Sequence, residues 1–298
     1  MGAGSKSFAT ASRLLDKDTR DSAQLLYAWC RYCDDRIDQQ HLGFTAEGVQ
    51  RNGREALERL ERDTRKTLDG ETVEDPAFMA LARVAQRHNI PERYPLELLQ
   101  GFRMDVEGYA YETLEDTLLY SYHVAGVVGV MMCYIMGASS DEAVVRAADL
   151  GIAFQLTNIS RDVMDDAQRG RVYLPLNWLS EAGVPLAGIS LPEHRSAVVD
   201  VVRRLLLVAD RYYDSAAAGL PHLDWRAAWS IATARSVYRA IGSAVIARGP
   251  AAWDERVVVS RGQKLLRVLG GLVQASVTST IGRLLPERPR PDLWAKTD

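Results

Sequence analysis

Two pairs of aspartates, each four residues apart, are the side chains best placed to do chemistry: Asp34 with Asp38, and Asp162 with Asp166. An α-helix turns ~100° per residue, so a step of four returns to one face about one turn along, where two carboxylates can share a cation. Around the first pair, Tyr27, Arg31, Asp34 and Asp38 step by four, three and four, among Leu25, Leu26, Ala28, Trp29, Cys30, Cys33 and Ile37. Around the second, Gln155, Asn158, Asp162 and Asp166 step by three and four, beside Arg161 and among Ile152, Phe154, Leu156, Ile159 and Val163. Asp35 lies ~100° off the first stripe and is not expected to be a ligand. Either stripe alone reads as a solvated face carrying ion pairs. Two in one helical chain point to two helices presenting acids to a common cavity, and hence to a metal site.

Oxygen ligands without nearby histidine or thiolate suit a hard cation. Mg²⁺ in particular keeps waters and binds through one or two carboxylates plus phosphate oxygens, with Mn²⁺ as the alternative ion. The natural companion of such ions is a diphosphate. Arg31 and Arg161 each sit beside an acid pair and carry a fork that matches phosphate geometry; the competing reading is that each only neutralises its neighbouring aspartate. In a pocket otherwise apolar, the reaction most easily helped is departure of diphosphate to leave a carbocation, which aromatic faces stabilise. Tyr27, Tyr122, Tyr173 and Tyr238 are candidates for those faces, against the plainer reading of each as a core tyrosine.

The elements that must position these residues read as helix after helix. Asp18 or Thr19 caps a helix over about 18–40, and Thr45 opens a mixed-charge stretch whose core, 55–66, suits a solvated outer helix. Asp75 and Pro76 form an N-cap and first-turn pair for a helix to about His88. Pro91 and Pro95 lead into the next, which ends towards Gly108. Thr113 and Asp116 resemble a capping box for a helix to about Met136, in which Gly126 and Gly129 imply close helix packing or room for a ligand. Ser139 or Ser140 starts the helix of the second acid pair, Gly170 breaks it, and 171–175 reads as an ordered loop. Long helical patterns follow over about 193–218, 224–247 and 263–285, and the proline-rich tail, 286–298, cannot continue a helix. With no strand alternation, repeat or linker, one all-α domain over 1–298 is the economical reading.

Composition sets limits. A net charge of -3 over 298 residues gives no electrostatic reason to expect nucleic acid. The N-terminus lacks an apolar signal segment, and Lys6 stands where a myristoylation signal wants Ser or Thr, so a cytoplasmic location is expected. The longest apolar run, 124–138, is 15 residues, short of the ~20 that cross a bilayer, and reads as a buried core helix; peripheral contact with the membrane's inner face stays open. Cys30, Cys33 and Cys133 point to a reducing compartment, with Cys30 and Cys33 as packed thiols rather than a redox or zinc pair.

The stretches 27–38 and 155–166 resemble the two aspartate motifs of the squalene and phytoene synthase family. The likeness extends through Lys6 to Phe8, 120–129 and 170–175, and covers almost the whole chain. It implies the isoprenoid synthase fold, helices around a central cavity with two facing aspartate-rich motifs, and head-to-head joining of two allylic diphosphates. For the phytoene branch these are two geranylgeranyl diphosphates, passing through prephytoene diphosphate to phytoene. Carried over by position, Asp34, Asp38, Asn158, Asp162 and Asp166 bind Mg²⁺, and Lys6, Arg31 and Arg161 hold diphosphates. Gln155, Tyr173 and Tyr238 line the reaction centre, and Arg256 is a further phosphate contact on a looser alignment. Met164 stands where relatives often have glycine, which bears on local packing. With no Gly-x-Gly-x-x-Gly, no NADPH-dependent reduction is expected. The alternatives are a farnesyl-using dehydrosqualene or squalene synthase, and a non-catalytic assembly protein. The resemblance also leaves contact with other carotenoid-pathway enzymes open.

Overall fold

The computed structural model describes residues 11–38, 46–284, 286, 288–290 and 292–296; the side chains of Asp38, residues 46–52 and Arg283 lie outside that description, as does Lys6. Eleven helices of six residues or more run through the described chain, and no strand is present among the described residues.

The first, α1 (Lys17–Asp38), starts slightly before the expected cap, because the Asp16 carboxylate reaches forward to accept from the Thr19 backbone N–H at 3.0 Å. It buries Ala23, Leu26, Trp29, Cys33 and Ile37, at steps of three and four, so its polar stripe lies on the opposite side. The mixed-charge helix α2 (Ala46–Leu68) packs Leu57 and Leu60 inward and ties Glu61 to Arg103 at 2.5 Å. α3 (Pro76–His88) begins on Asp75, whose side chain accepts from Ala77 N at 2.9 Å, and α4 (Arg93–Glu107) ends on Gly108 in the left-handed region.

The capping box of Thr113 and Asp116 opens α5 (Leu114–Ser121) with both reciprocal hydrogen bonds in place. What reads in sequence as one helix to Met136 is interrupted: Tyr122–Gly126 widens into a π turn before α6 (Val127–Ile135) resumes. The whole stretch, Leu114–Ile135, is by length and composition apolar enough to cross a membrane, but it is packed among α1, α3, α4 and the long α7 (Asp141–Gln168). Glycines allow that last contact. A Cβ on Gly129 would stand 2.4 Å from the Ala147 carbonyl oxygen, and one on Gly151 would stand 2.2 Å from that of Ala125. Backbone meets backbone there, so Gly151→Ala is expected to cost about 2–3 kcal/mol in a urea titration; a midpoint unchanged from the parent would mean that the helices separate freely.

Ser140 caps α7, which carries the second acid pair through the middle of the molecule and touches α6, α9 (Arg195–Ala217) and α10 (Trp225–Arg248). The short α8 (Leu176–Glu181) follows the 171–175 loop. The last helix, α11 (Arg261–Thr280), opens on a Ser260–Gln263 capping box and lies along α10, ending before the expected 285 because the chain tightens into a 3₁₀ turn at Gly282–Leu284. The proline-rich tail does not trail away. Leu293 enters the core, and Tyr212 donates its hydroxyl to the Trp294 carbonyl at 3.0 Å.

Candidate active site

A cavity of about 360 Å³ lies between α1, α6, α7 and α10, and its walls are almost entirely apolar. At one end Tyr27 comes from α1, Gln155 and Asn158 from α7, and Tyr238 from α10, while Ser12, Arg146 and Ser230 also line the space. From Asn158 the lining continues down α7 through Phe154, Gly151, Leu150 and Ala147 to Ala143, a run of ~22 Å at 1.5 Å per residue. Gly129 and Gly151 therefore serve twice, allowing the helices to touch and leaving the wall thin. Cys30 and Cys133 also line the space, and burial pushes their thiols up to about 12 and about 11, so both are protonated and unreactive.

Around the polar end the two stripes carry their charges differently. On α1, Arg31 reaches both neighbouring acids, Nη1 to Asp34 at 2.7 Å and Nη2 to Asp35 at 2.5 Å, and these side chains are substantially exposed. Asp38 closes the helix, with its side chain outside the described residues. On α7, Arg161 is buried and grips Asp162 with two hydrogen bonds, Nε at 2.8 Å and Nη2 at 2.5 Å. A second guanidinium, Arg256 Nη2, reaches the same carboxylate at 2.9 Å from 94 residues away. Two cations on one acid leave positive charge to spare for an anionic ligand.

Asp166 has no such partner. Burial, and then the charge of Asp162, push its carboxyl up to about 7, against the pull of Arg171 and Arg169. Asn158 donates Nδ2 to Gln155 Oε1 at 3.3 Å, while its own Oδ1 is buried without a hydrogen-bond partner. An orphaned amide oxygen and an uncompensated carboxylate lie on one helix face two turns, ~12 Å, apart, and a hard cation at either would relieve it. Among the described residues no three Asp, Glu, His or Cys side chains converge into a closed cage. Such an ion would therefore complete its coordination with water and ligand phosphate oxygens, the habit of Mg²⁺.

The tyrosines divide. Tyr238 stacks on Phe154 with centroids 4.2 Å apart at the cavity wall, within the fields of Arg161 and Asp162, and Tyr27 lines the same end. Tyr173 lies off the cavity: it stacks on Tyr120 at 4.6 Å and donates its hydroxyl to Asp105 at 2.9 Å, beside a void of about 10 Å³ that it shares with Asp166 and Arg171. Tyr122 does not line the cavity either; it packs edge-on against Trp294, 6.4 Å away. Arg169, Arg171 and Phe154 escape a reading by stripe alone, although the two arginines follow Asp166 by three and five residues. Asp105 was signalled only as an acid among apolar neighbours on α4.

The chain is similar to known proteins in sequence and in fold. A family model described as squalene/phytoene synthase matches residues 1–263. A 15-cis-phytoene synthase from Enterobacter agglomerans is 48% identical over 297 residues, 99% of each chain. One from Pantoea ananas is 48% identical over 298 residues, 99% of this chain and 95% of the other. A solved structure of a dehydrosqualene synthase in complex with ligand superposes with a TM-score of 0.81 at 28% identity, over 91% of this chain and 92% of that one.

Proposed function

The chain belongs to the squalene/phytoene synthase family, and we propose that it joins two geranylgeranyl diphosphates head to head, through prephytoene diphosphate, to phytoene with release of two diphosphates. The observation that carries this reading is a deep apolar cavity whose polar end is built jointly by the two aspartate helices. A long hydrocarbon tail fits the apolar wall, and its diphosphate comes to rest among Asp34, Asn158, Asp162 and Asp166 at the mouth.

Bound there, Mg²⁺ would neutralise the charge that develops on the departing diphosphate. Arg31, Arg161 and Arg256 hold phosphate oxygens once substrate displaces the aspartates from their forks, with Lys6 and Asp38 assigned by position alone. Tyr27, Phe154 and Tyr238 present ring faces to the cation left behind. Leu150, Gly151 and Ala147 supply no nucleophile or water site, so the cation survives to react with the second chain. Tyr173 acts from beside Asp166 rather than from the cavity wall. No reductive step is included, and the enzyme works in the cytoplasm, in peripheral contact with the membrane and with other carotenoid-pathway enzymes.

Purified protein given geranylgeranyl or farnesyl diphosphate, with Mg²⁺ or EDTA and with or without NADPH, tests the reading. Phytoene should form from the longer substrate, with Mg²⁺ and without NADPH. Absence of metal-dependent diphosphate release from either substrate would overturn the enzymatic reading, and a squalene product requiring NADPH would overturn the choice of product.

A further inference from the structure

Helix α11 buries almost nothing. Only Gly271 and Ala275 are buried along its twenty residues, Gly271 against Thr233 of α10. The opposite side carries Leu265, Leu266, Leu269, Val273 and Val277, exposed by 51% to 68%. At ~100° per residue these five fall within an arc of about 120°, and Ile281 and Leu284 extend the exposed apolar surface past the helix end. A stripe of that width is what a helix normally turns to a core. Here it faces outward, and exposed contiguous apolar surface marks an interaction site.

Charge selects the partner. From Arg256 to Pro286 the sequence holds five basic residues, Arg256, Arg261, Lys264, Arg267 and Arg283, and no acidic one, in a chain whose net charge is -3. Arg261 and Arg267 are exposed and fall on either flank of the apolar arc, where long side chains can reach past a buried face to anionic headgroups. A second copy of this helix laid against the first would bring cation to cation with no carboxylate on either. Trp225, half exposed on α10, donates its indole N–H to Ser276 at 3.3 Å and so sits at the rim of the same face, the position aromatic side chains take at a membrane surface.

We propose that the outer face of α11 is an interfacial docking surface for an anionic lipid bilayer, entered by Leu265, Leu266, Leu269, Val273 and Val277, and held by Arg261 and Arg267. This deepens the peripheral-membrane part of the proposed function by naming the face and the lipid chemistry. Its consequence for catalysis is positional. The other side of α10 contributes Ser230, Ile231, Ala234 and Tyr238 to the cavity, so the docked helix is separated from the tunnel by a single helix. Amphiphilic substrate and hydrocarbon product would then have only a short path between bilayer and cavity.

Sedimentation of the whole protein with vesicles tests this without any turnover, so failure here is separable from failure of the catalytic reading. The protein should bind vesicles of phosphatidylcholine mixed with phosphatidylglycerol, bind pure phosphatidylcholine far less, and lose binding as salt rises. Leu269→Gln/Val273→Gln should lower the partition coefficient at least tenfold. Arg261→Glu/Arg267→Glu should lower it by more, since each cation near an anionic surface is worth about fivefold. Circular dichroism and phytoene formation from detergent-dispersed substrate should remain at the parent level in both. Vesicle binding unmoved by either pair overturns the proposal, as does a dimer in analytical ultracentrifugation that Leu269→Gln/Val273→Gln disperses while vesicles are ignored.

Discussion

Asp166→Asn is expected to abolish most turnover and, in the same protein, to raise the melting temperature of the EDTA-treated form. The two effects share one cause. Burial and the nearby Asp162 hold the Asp166 carboxyl up near 7, well above the ~3.9 of an unfolded chain. The folded state therefore binds this proton more tightly than the unfolded state. Its stabilising contribution is fully present below about pH 4 and is lost as pH rises through about 7. Asparagine keeps the shape and cannot ionise, so without metal the variant should melt higher above pH 7, on the order of 5 °C, and no differently at pH 4. Added Mg²⁺ should raise the parent's melting temperature and leave the variant's nearly unmoved. Turnover should fall by about 10²–10³-fold, the scale of losing one preorganised stabiliser of developing charge. A variant that melts lower than the parent at pH 8 in EDTA would refute the electrostatic account, and near-parental turnover would remove Asp166 from the metal site.

Asp149→Ala should give the largest loss of stability, about 3–5 kcal/mol by urea titration. Asp149 is 1% exposed and accepts from Arg290 at 2.8 and 3.0 Å and from Ser215 at 2.5 Å. Ser215 in turn receives Arg146 at 2.7 Å, whose remaining donors go to Glu142 and to the Arg288 carbonyl, each at 2.6 Å. Arg290 also donates to the carbonyls of Leu293 and Trp294, so one buried carboxylate organises the docking of these three tail residues. Removing it strands the Arg290 guanidinium and the Ser215 hydroxyl, both of which donate to it. Trypsin should then cut after Lys296, which the parent holds against Glu97. Asp149→Leu combined with Arg290→Met, which removes both charges, should recover much of the loss. A single variant within about 0.5 kcal/mol of the parent would show the tail to be a passive passenger.

The sequence by itself determined most of the helices, several of their starts and the two acid stripes. Asp75, Thr113 with Asp116, Ser140 and Ser260 cap helices through hydrogen bonds to residues two or three positions on, and such contacts are written in adjacent letters. The stripes are equally local, since helical phase alone aligns Tyr27 with Asp34, and Gln155 with Asp166. Their resemblance to one family's motifs named the chemistry. Only the tertiary structure decided which side chains share a space. Tyr173 and Tyr238 look alike in sequence, yet one stacks on Tyr120 above Asp105 and the other on Phe154 at the cavity wall. Arg256 meets Asp162 across 94 residues and Arg290 meets Asp149 across 141, in pairings fixed by how helices pack and not by any spacing along the chain. The same holds for α11, whose apolar stripe has the width a helix normally turns to a core. The packing of α10 and α11 through Gly271 and Ala275 turns that stripe outward, because two small residues make the tighter contact and leave the larger ones on the far side.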